Sequence, residues 1–230
     1  MRIFLALFSI LVLASPLYAA QRNYTVTDFT RVRVEGPYAV TLATKVAPFA
    51  RASGSQRALD RVSVKVEGRT LIIRVDRSAW GGSPDEQAGA VTINVGTHDL
   101  EQAQLVGPGS MAIDRVHGLN FALSSFGSGA ASIGEVAVDR LRLSAEGSGS
   151  IRVAGATKQF DATLSGPGLI EAAGLTAKDA SLSAMGPASL RATVTNSAKI
   201  NATGTATMTV EGGAACVQKV TGSAVVNGCD

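Results

Sequence analysis

The sequence predicts an all-β protein, a β-solenoid with about 20 residues per coil, and three observations predict it. A glycine-led motif recurs at Gly107 (GPGSMAI), Gly127 (GSGAASI), Gly147 (GSGSIRV), Gly166 (GPGLIEA), Gly186 (GPASLRA), Gly204 (GTATMTV) and Gly222 (GSAVVNG), at spacings of 20, 20, 19, 20, 18 and 18. Around the motif, apolar and polar residues alternate. Leu141, Leu143, Ala145, Ile151 and Val153 share one parity while Arg142, Ser144, Glu146, Ser150 and Arg152 hold the other, which is the pattern of a half-buried strand. The chain has 25 Gly and only 5% aromatic residues, which suits thin coils around a narrow core. A helical bundle is disfavoured, because each interior Gly costs a helix roughly 1 kcal/mol.

In chain order, Met1 to Ala20 reads as a secretory signal peptide: Arg2 is the positive start, Ile3 to Ala14 the apolar core, and Ser15 to Ala20 the small-residue cleavage zone. The apolar run is too short for an ordinary membrane span. Residues 21–230 then form one continuous solenoid, with 21–105 as an irregular N-terminal cap and first coils and 106–230 as regular Gly-x-Gly coils. Gly36-Pro-Tyr-Ala-Val-Thr-Leu42 has the shape of Gly107-Pro-Gly-Ser-Met-Ala-Ile113 and sets Val40 and Leu42 where Met111 and Ile113 stand. Gly54 follows 18 residues later as a further repeat position. Val62, Val64 and Val66 alternate, as do Leu71, Ile73 and Val75, on either side of a Glu67-Gly68 hairpin or tight corner. Val91, Ile93 and Val95 form another strand. Between them, Arg77 to Ala88 carries adjacent glycines, a proline and two acids, and reads as a surface loop. Its Trp80, the sole tryptophan, either covers an open coil end or is an exposed ligand contact.

In the regular coils the repeat glycines Gly107, Gly109, Gly127, Gly129, Gly147, Gly149, Gly166, Gly168, Gly186, Gly204 and Gly222 carry structural roles. They fall on the inward parity, an inward column with no room for a side chain, where the coil bends or its opposite wall comes close. Segments such as Ala154 to Gln159 turn the chain onto the next rung. Cys216 and Cys229 both lie in the last coil, and an oxidising compartment predicts a disulfide between them. The alternative is two separate thiols, with Cys216 a small inward hydrophobe.

Patterns that carry chemistry are sparse. His98 stands beside Asp99 and Glu101, and His117 near Asp114, but no paired-histidine metal spacing accompanies them, so no metal or cofactor is expected. No G-x-S-x-G elbow occurs, and Gly147-Ser-Gly-Ser lacks the Gly-Lys-Ser/Thr of a phosphate loop. Asp139, Asp161 and Asp179 stand eight, five and seven residues before their next repeat glycine, so they do not form a column. Outward positions five residues after the glycine are Ala112, Ser132, Arg152, Glu171, Arg191, Thr209 and Asn227, with no charge ladder. The net charge of +3 falls to +2 when Arg2 leaves with the signal, too small and dispersed for a nucleic-acid partner.

A signal peptide, the opening Val32 to Leu42 (VRVEGPYAVTL), the Gly68 to Ile73 strand start (GRTLII) and serial Gly-Ser-Gly repeats together resemble the GIN-domain family of adhesin-head-like secreted bacterial proteins, over about residues 24 to 228. The resemblance implies a right-handed, single-stranded β-helix in a periplasmic or secreted protein of a Gram-negative cell envelope. Pro108, Pro167 and Pro187 depart from the family's Gly-Ser-Gly-Asp/Asn pattern, and no catalytic residues carry over. Two functions follow as expectations. The first is a non-enzymatic module for adhesion, envelope scaffolding or glycan contact, whose partners are cell-envelope polysaccharide or protein, with self-association through the solenoid ends as a variant. The second is a carbohydrate-active enzyme on the same scaffold, disfavoured by the scarcity of aromatic residues for sugar stacking.

Overall fold

The computed structural model describes residues 20–76 and 89–229. The alternating sequence forms β1 (Ala20–Tyr24), β2 (Arg31–Glu35), β3 (Ala39–Thr44), β4 (Phe49–Gly54), a short helix α1 (Gln56–Asp60), β5 (Val62–Glu67), β6 (Thr70–Val75), β7 (Thr92–Thr97) and β8 (Gln102–Val106). The regular coils follow as β9 (Ser110–Phe126), β10 (Ala130–Glu146), β11 (Ser150–Ser165), β12 (Leu169–Met185) and β13 (Ser189–Gly204), then the shorter β14 (Thr207–Glu211), β15 (Ala215–Gly222) and β16 (Val225–Asn227). All the described strands join one sheet, wound as a β-solenoid of about 6 turns.

Each of β9 to β13 is one coil, and it pairs in parallel with the coils before and after it. Register sets like positions in columns. Phe121, Leu141, Phe160, Ala180 and Ala198 stack inward, as do Leu123, Leu143, Ala162, Leu182 and Ile200. These inward residues are almost all shielded from water and form a continuous core. Full burial of a Leu or Phe contributes about 1.5–3 kcal/mol, and no coil can achieve it without its neighbours. Among the described residues one buried hydroxyl, Ser125 Oγ, has no hydrogen-bond partner. It stands in a column otherwise filled by Leu105, Ala145, Leu164, Ala184 and Ala202.

The glycine motif makes a corner whose two glycines play different parts, which corrects the expectation of a single inward column. The first glycine is partly exposed and has positive φ, for example 109° at Gly147, where an L side chain is strained. The second is buried. At Gly129 an added Cβ would lie 2.5 Å from the Gly109 carbonyl oxygen of the coil before. What excludes the side chain is therefore the backbone of the adjacent rung. The crowding relaxes along the chain: at Gly168 the nearest atom is 2.9 Å away, and the next occupants of the column are Ala188 and Ala206, both buried. The residue between the two glycines is exposed, so Pro108, Pro167 and Pro187 fit there without loss of a ladder bond. Across the corner the ladder stays closed, with Gly127 N–H donating to Glu146 O (2.9 Å) and Ala130 N–H to Gly109 O (3.1 Å).

The opposite corner corrects a second expectation. Ala154 to Gln159 lies within β11 and stays paired instead of forming a separate turn. The chain bends there through irregularities of register, between Ile133 and Val136 against β11 and between Ala172 and Thr176 against β13.

At the N-terminal end Gly36 does align with Gly107: Val40 pairs with Met111 and Leu42 with Ile113. Gly54, however, is no coil corner. It ends β4, which runs antiparallel to β7. The chain doubles back beneath its own first coil, so β2 lies between β6 and β8, and β3 between β7 and β9. β5 and β6 form an antiparallel hairpin through Gly68. The antiparallel strands β1 and β5 are outermost on this side, with α1 alongside, started by Ser55 Oγ accepting from Ala58 N–H (3.1 Å). At the other end Cys216 and Cys229 form the disulfide, their Cα atoms 5.7 Å apart. The expected signal peptide and the Trp80 loop lie outside the described residues, Ala20 apart.

Candidate functional site

With the inward columns closed by packing, the side chains that the described coils offer along their length are the outward ones. On one arm of the coil, register stacks Gln104, Ser124, Ser144, Thr163, Ser183 and Asn201, one hydroxyl or amide per rung. Beside it runs Ala122, Arg142, Asp161, Ser181, Lys199, and then Asn120, Arg140, Gln159, Asp179, Ser197 at the corner. The opposite arm carries Ala112, Ser132, Arg152, Glu171, Arg191, Thr209 and Asn227, in the column anticipated from their common distance to the preceding glycine.

The corner columns enclose two adjoining shallow depressions of about 280 and 410 Å³ that share Arg140, Gln159 and Asp179. Their polar groups hold one another in place. Arg140 Nε donates to Gln159 Oε1 (2.8 Å), Lys158 Nζ meets Asp139 Oδ1 (2.8 Å), and Arg142 Nη2 lies 3.8 Å from Asp161 Oδ2. Asp179 Oδ1 accepts from Ser197 Oγ and Asn196 Nδ2, each at 2.6 Å. These two bonds, the serine's first, hold the Asp179 carboxyl below its ordinary range, so it stays an ionised acceptor near neutrality. A glycosidic general acid needs the reverse, a carboxyl held protonated. Asp161 and Asp179 stand in different columns, opposite Arg142 and Gln159 respectively, while Asp139 is engaged by Lys158.

The remaining candidates are dispersed. His117 Nε2 lies 3.5 Å from Asp99 Oδ1, and among the described residues no three His, Cys, Asp or Glu side chains group as a metal site. The repeat glycines line corners and the Cys216–Cys229 bond closes the last coil, and none of these residues lines the two corner depressions. The corner cluster of Arg140, Gln159 and Asp179 is the feature that counting forward from each glycine misses. Counted back from the glycine that follows, Asn120, Arg140, Gln159, Asp179 and Ser197 all stand seven residues before it.

The family model described as "Putative auto-transporter adhesin, head GIN domain" matches residues 28–214. The chain belongs to this family. Solved structures share the GIN-domain fold of this chain at low identity. A putative adhesin from Bacteroides fragilis superimposes with TM-score 0.79 at 20% identity, covering 92% of this chain and 96% of that one. A putative lipid binding protein from Parabacteroides distasonis gives 0.72 at 18%, covering 94% and 98%. A putative adhesin from Parabacteroides merdae gives 0.69 at 16%, with the same coverage. No curated protein sequence matches the chain.

Proposed function

We propose that this GIN-domain chain is a non-enzymatic adhesion module of the bacterial envelope, exported by its N-terminal signal and contacting extended polar partners such as envelope glycans through the outward columns of its coils. The observation that carries this reading is the column Gln104, Ser124, Ser144, Thr163, Ser183, Asn201. It repeats a donor–acceptor group at every rung, about 4.8 Å apart, and suits a linear chain laid along the solenoid axis. Membership of an adhesin-head family supports the same reading.

The test is a binding screen against glycans and cell-envelope fractions, with reducing ends assayed in the same samples. Saturable binding without new reducing ends is the expected result, and Ser144→Arg with Thr163→Arg should abolish it by filling the column. Release of reducing ends would overturn the reading in favour of a carbohydrate-cleaving enzyme.

A further inference from the structure

The C-terminal coil ends in an open ladder. β15 pairs along its length with β13, and among the described residues no strand lies on its other side. In a parallel ladder successive residues turn their N–H and C=O alternately to the two neighbours. In this solenoid the outward residues bond back to the preceding coil, as Ala122 N–H does to Glu101 O (3.1 Å) and Ser223 N–H to Gly204 O (2.8 Å). The intervening residues Cys216, Gln218 and Val220 therefore turn theirs to the open edge. The same coil exposes three valines, Val217 (73%), Val220 (44%) and Val225 (50%), and between residues 212 and 229 its sole charge is Lys219. Unpaired edges with apolar side chains are templates for another strand.

Among the described residues the other end of the molecule presents a different surface. Its outermost strands run antiparallel to their neighbours, and there Arg22 donates to Leu59 O (2.9 Å) and pairs with Asp60. The C-terminal edge, in contrast, is complementary to itself. We propose that β15 pairs with the β15 of a second copy of this chain, antiparallel about a two-fold axis through Gln218. Directly opposed residues must lie on one face of a sheet, so the axis has to pass through a residue. Through Gln218 it sets Gln218 against the partner's Gln218 and Cys216 against the partner's Val220, joining the groups that face the open edge. It also sets Val217 against the partner's Lys219. An axis through Lys219 would oppose like charges, and an axis further along would shorten the overlap of an eight-residue strand. The new interface continues the ladder that already joins every coil to the next, and a closed two-fold ends the assembly at two copies. This dimer is independent of whether the polar columns bind glycan.

Sedimentation velocity over a concentration series tests it on the protein as exported by its host cell, with Val217 as the probe. Val217 is outward and exposed, so changes there leave the fold intact, which thermal unfolding verifies. Val217→Glu gains the partner's Lys219 twice, once on each side of the axis, and should tighten the dimer about two- to tenfold. Val217→Lys opposes two like charges and should weaken it by a similar factor. Slowed hydrogen exchange at the Cys216, Gln218 and Val220 amides should accompany dimer formation. A monomer at every concentration, assemblies larger than two, or variants that shift the equilibrium in the same direction or not at all would overturn the proposal.

Discussion

The two corners of each coil solve the same bending problem in opposite ways. The Gly-x-Gly corner is rigid: its first glycine sits at positive φ, and from Gly109 to Gly168 its second has no space for a methyl group. The bulged corner is permissive. The register irregularities fall there, and they absorb the changes of spacing from 20 to 19, back to 20 and then to 18. The residues before the bulge keep their distance to the preceding glycine, and those after it keep their distance to the following one. The comparison teaches that register in this solenoid is set at one corner and length is adjusted at the other, so insertions need not shift a single core column.

The harshest way to break this division of labour is Gly147→Ala. It places a side chain on a residue with φ 109°, with its Cβ 2.5 Å from the Gly127 carbonyl oxygen. Positive-φ strain and overpacking together should cost about 2–5 kcal/mol in denaturant unfolding. Ser125→Ala acts on the arm that enters the Gly127 corner and should do the reverse, raising stability by about 1–2 kcal/mol because it removes a buried hydroxyl that has no partner.

A subtler test lies in the first corner, where Tyr38 stands in place of the second glycine. Its ring is buried, and its hydroxyl lies 3.4 Å from Arg61 O. Burial first, then neighbouring Tyr24, pushes its hydroxyl from 10.0 up to about 12. The folded state thus holds the proton more tightly than the unfolded one. The stability this contributes is complete below pH 10 and is lost as pH rises through 12. Unfolding measured across that interval should show wild type losing stability faster than Tyr38→Phe. The smallest effect is expected at the bulged corner. Deleting the exposed Glu135 shortens a coil from 20 to 19 residues, the length already used between Gly147 and Gly166, and should change stability by no more than about 1 kcal/mol.

Much of the regular solenoid was legible because its physics is local and periodic. Strand alternation names the core residues, the glycine spacing names the corners, and aligning Gly36 with Gly107 places Val40 on Met111. The reversal from β4 to β7 was not legible. An antiparallel strand and a parallel one alternate identically, so the parity of Ala50 and Ala52 says nothing about the direction of β4. The opposite duties of the two glycines were only faintly marked: parity assigns both to the interior, and the sign that separates them is that the first position stays glycine through Gly222 while the second turns to Ala188 and Ala206. The polar corner cluster was masked for a different reason. A bulge of variable length lies between Arg140, Gln159 or Asp179 and the glycine before it, and only the glycine after it keeps a fixed distance.

The Cys216–Cys229 bond also decides how the molecule carries a mechanical load. Tension applied beyond Cys229 passes through the sulfur atoms to Cys216 and skips residues 217–228, a sequence separation of 13. At up to about 3.5 Å per residue, roughly 45 Å of slack is never released. β15 and β16 are spared from being peeled off one residue at a time, and the pull arrives instead at Gly212 and Gly213, where the chain leaves β14.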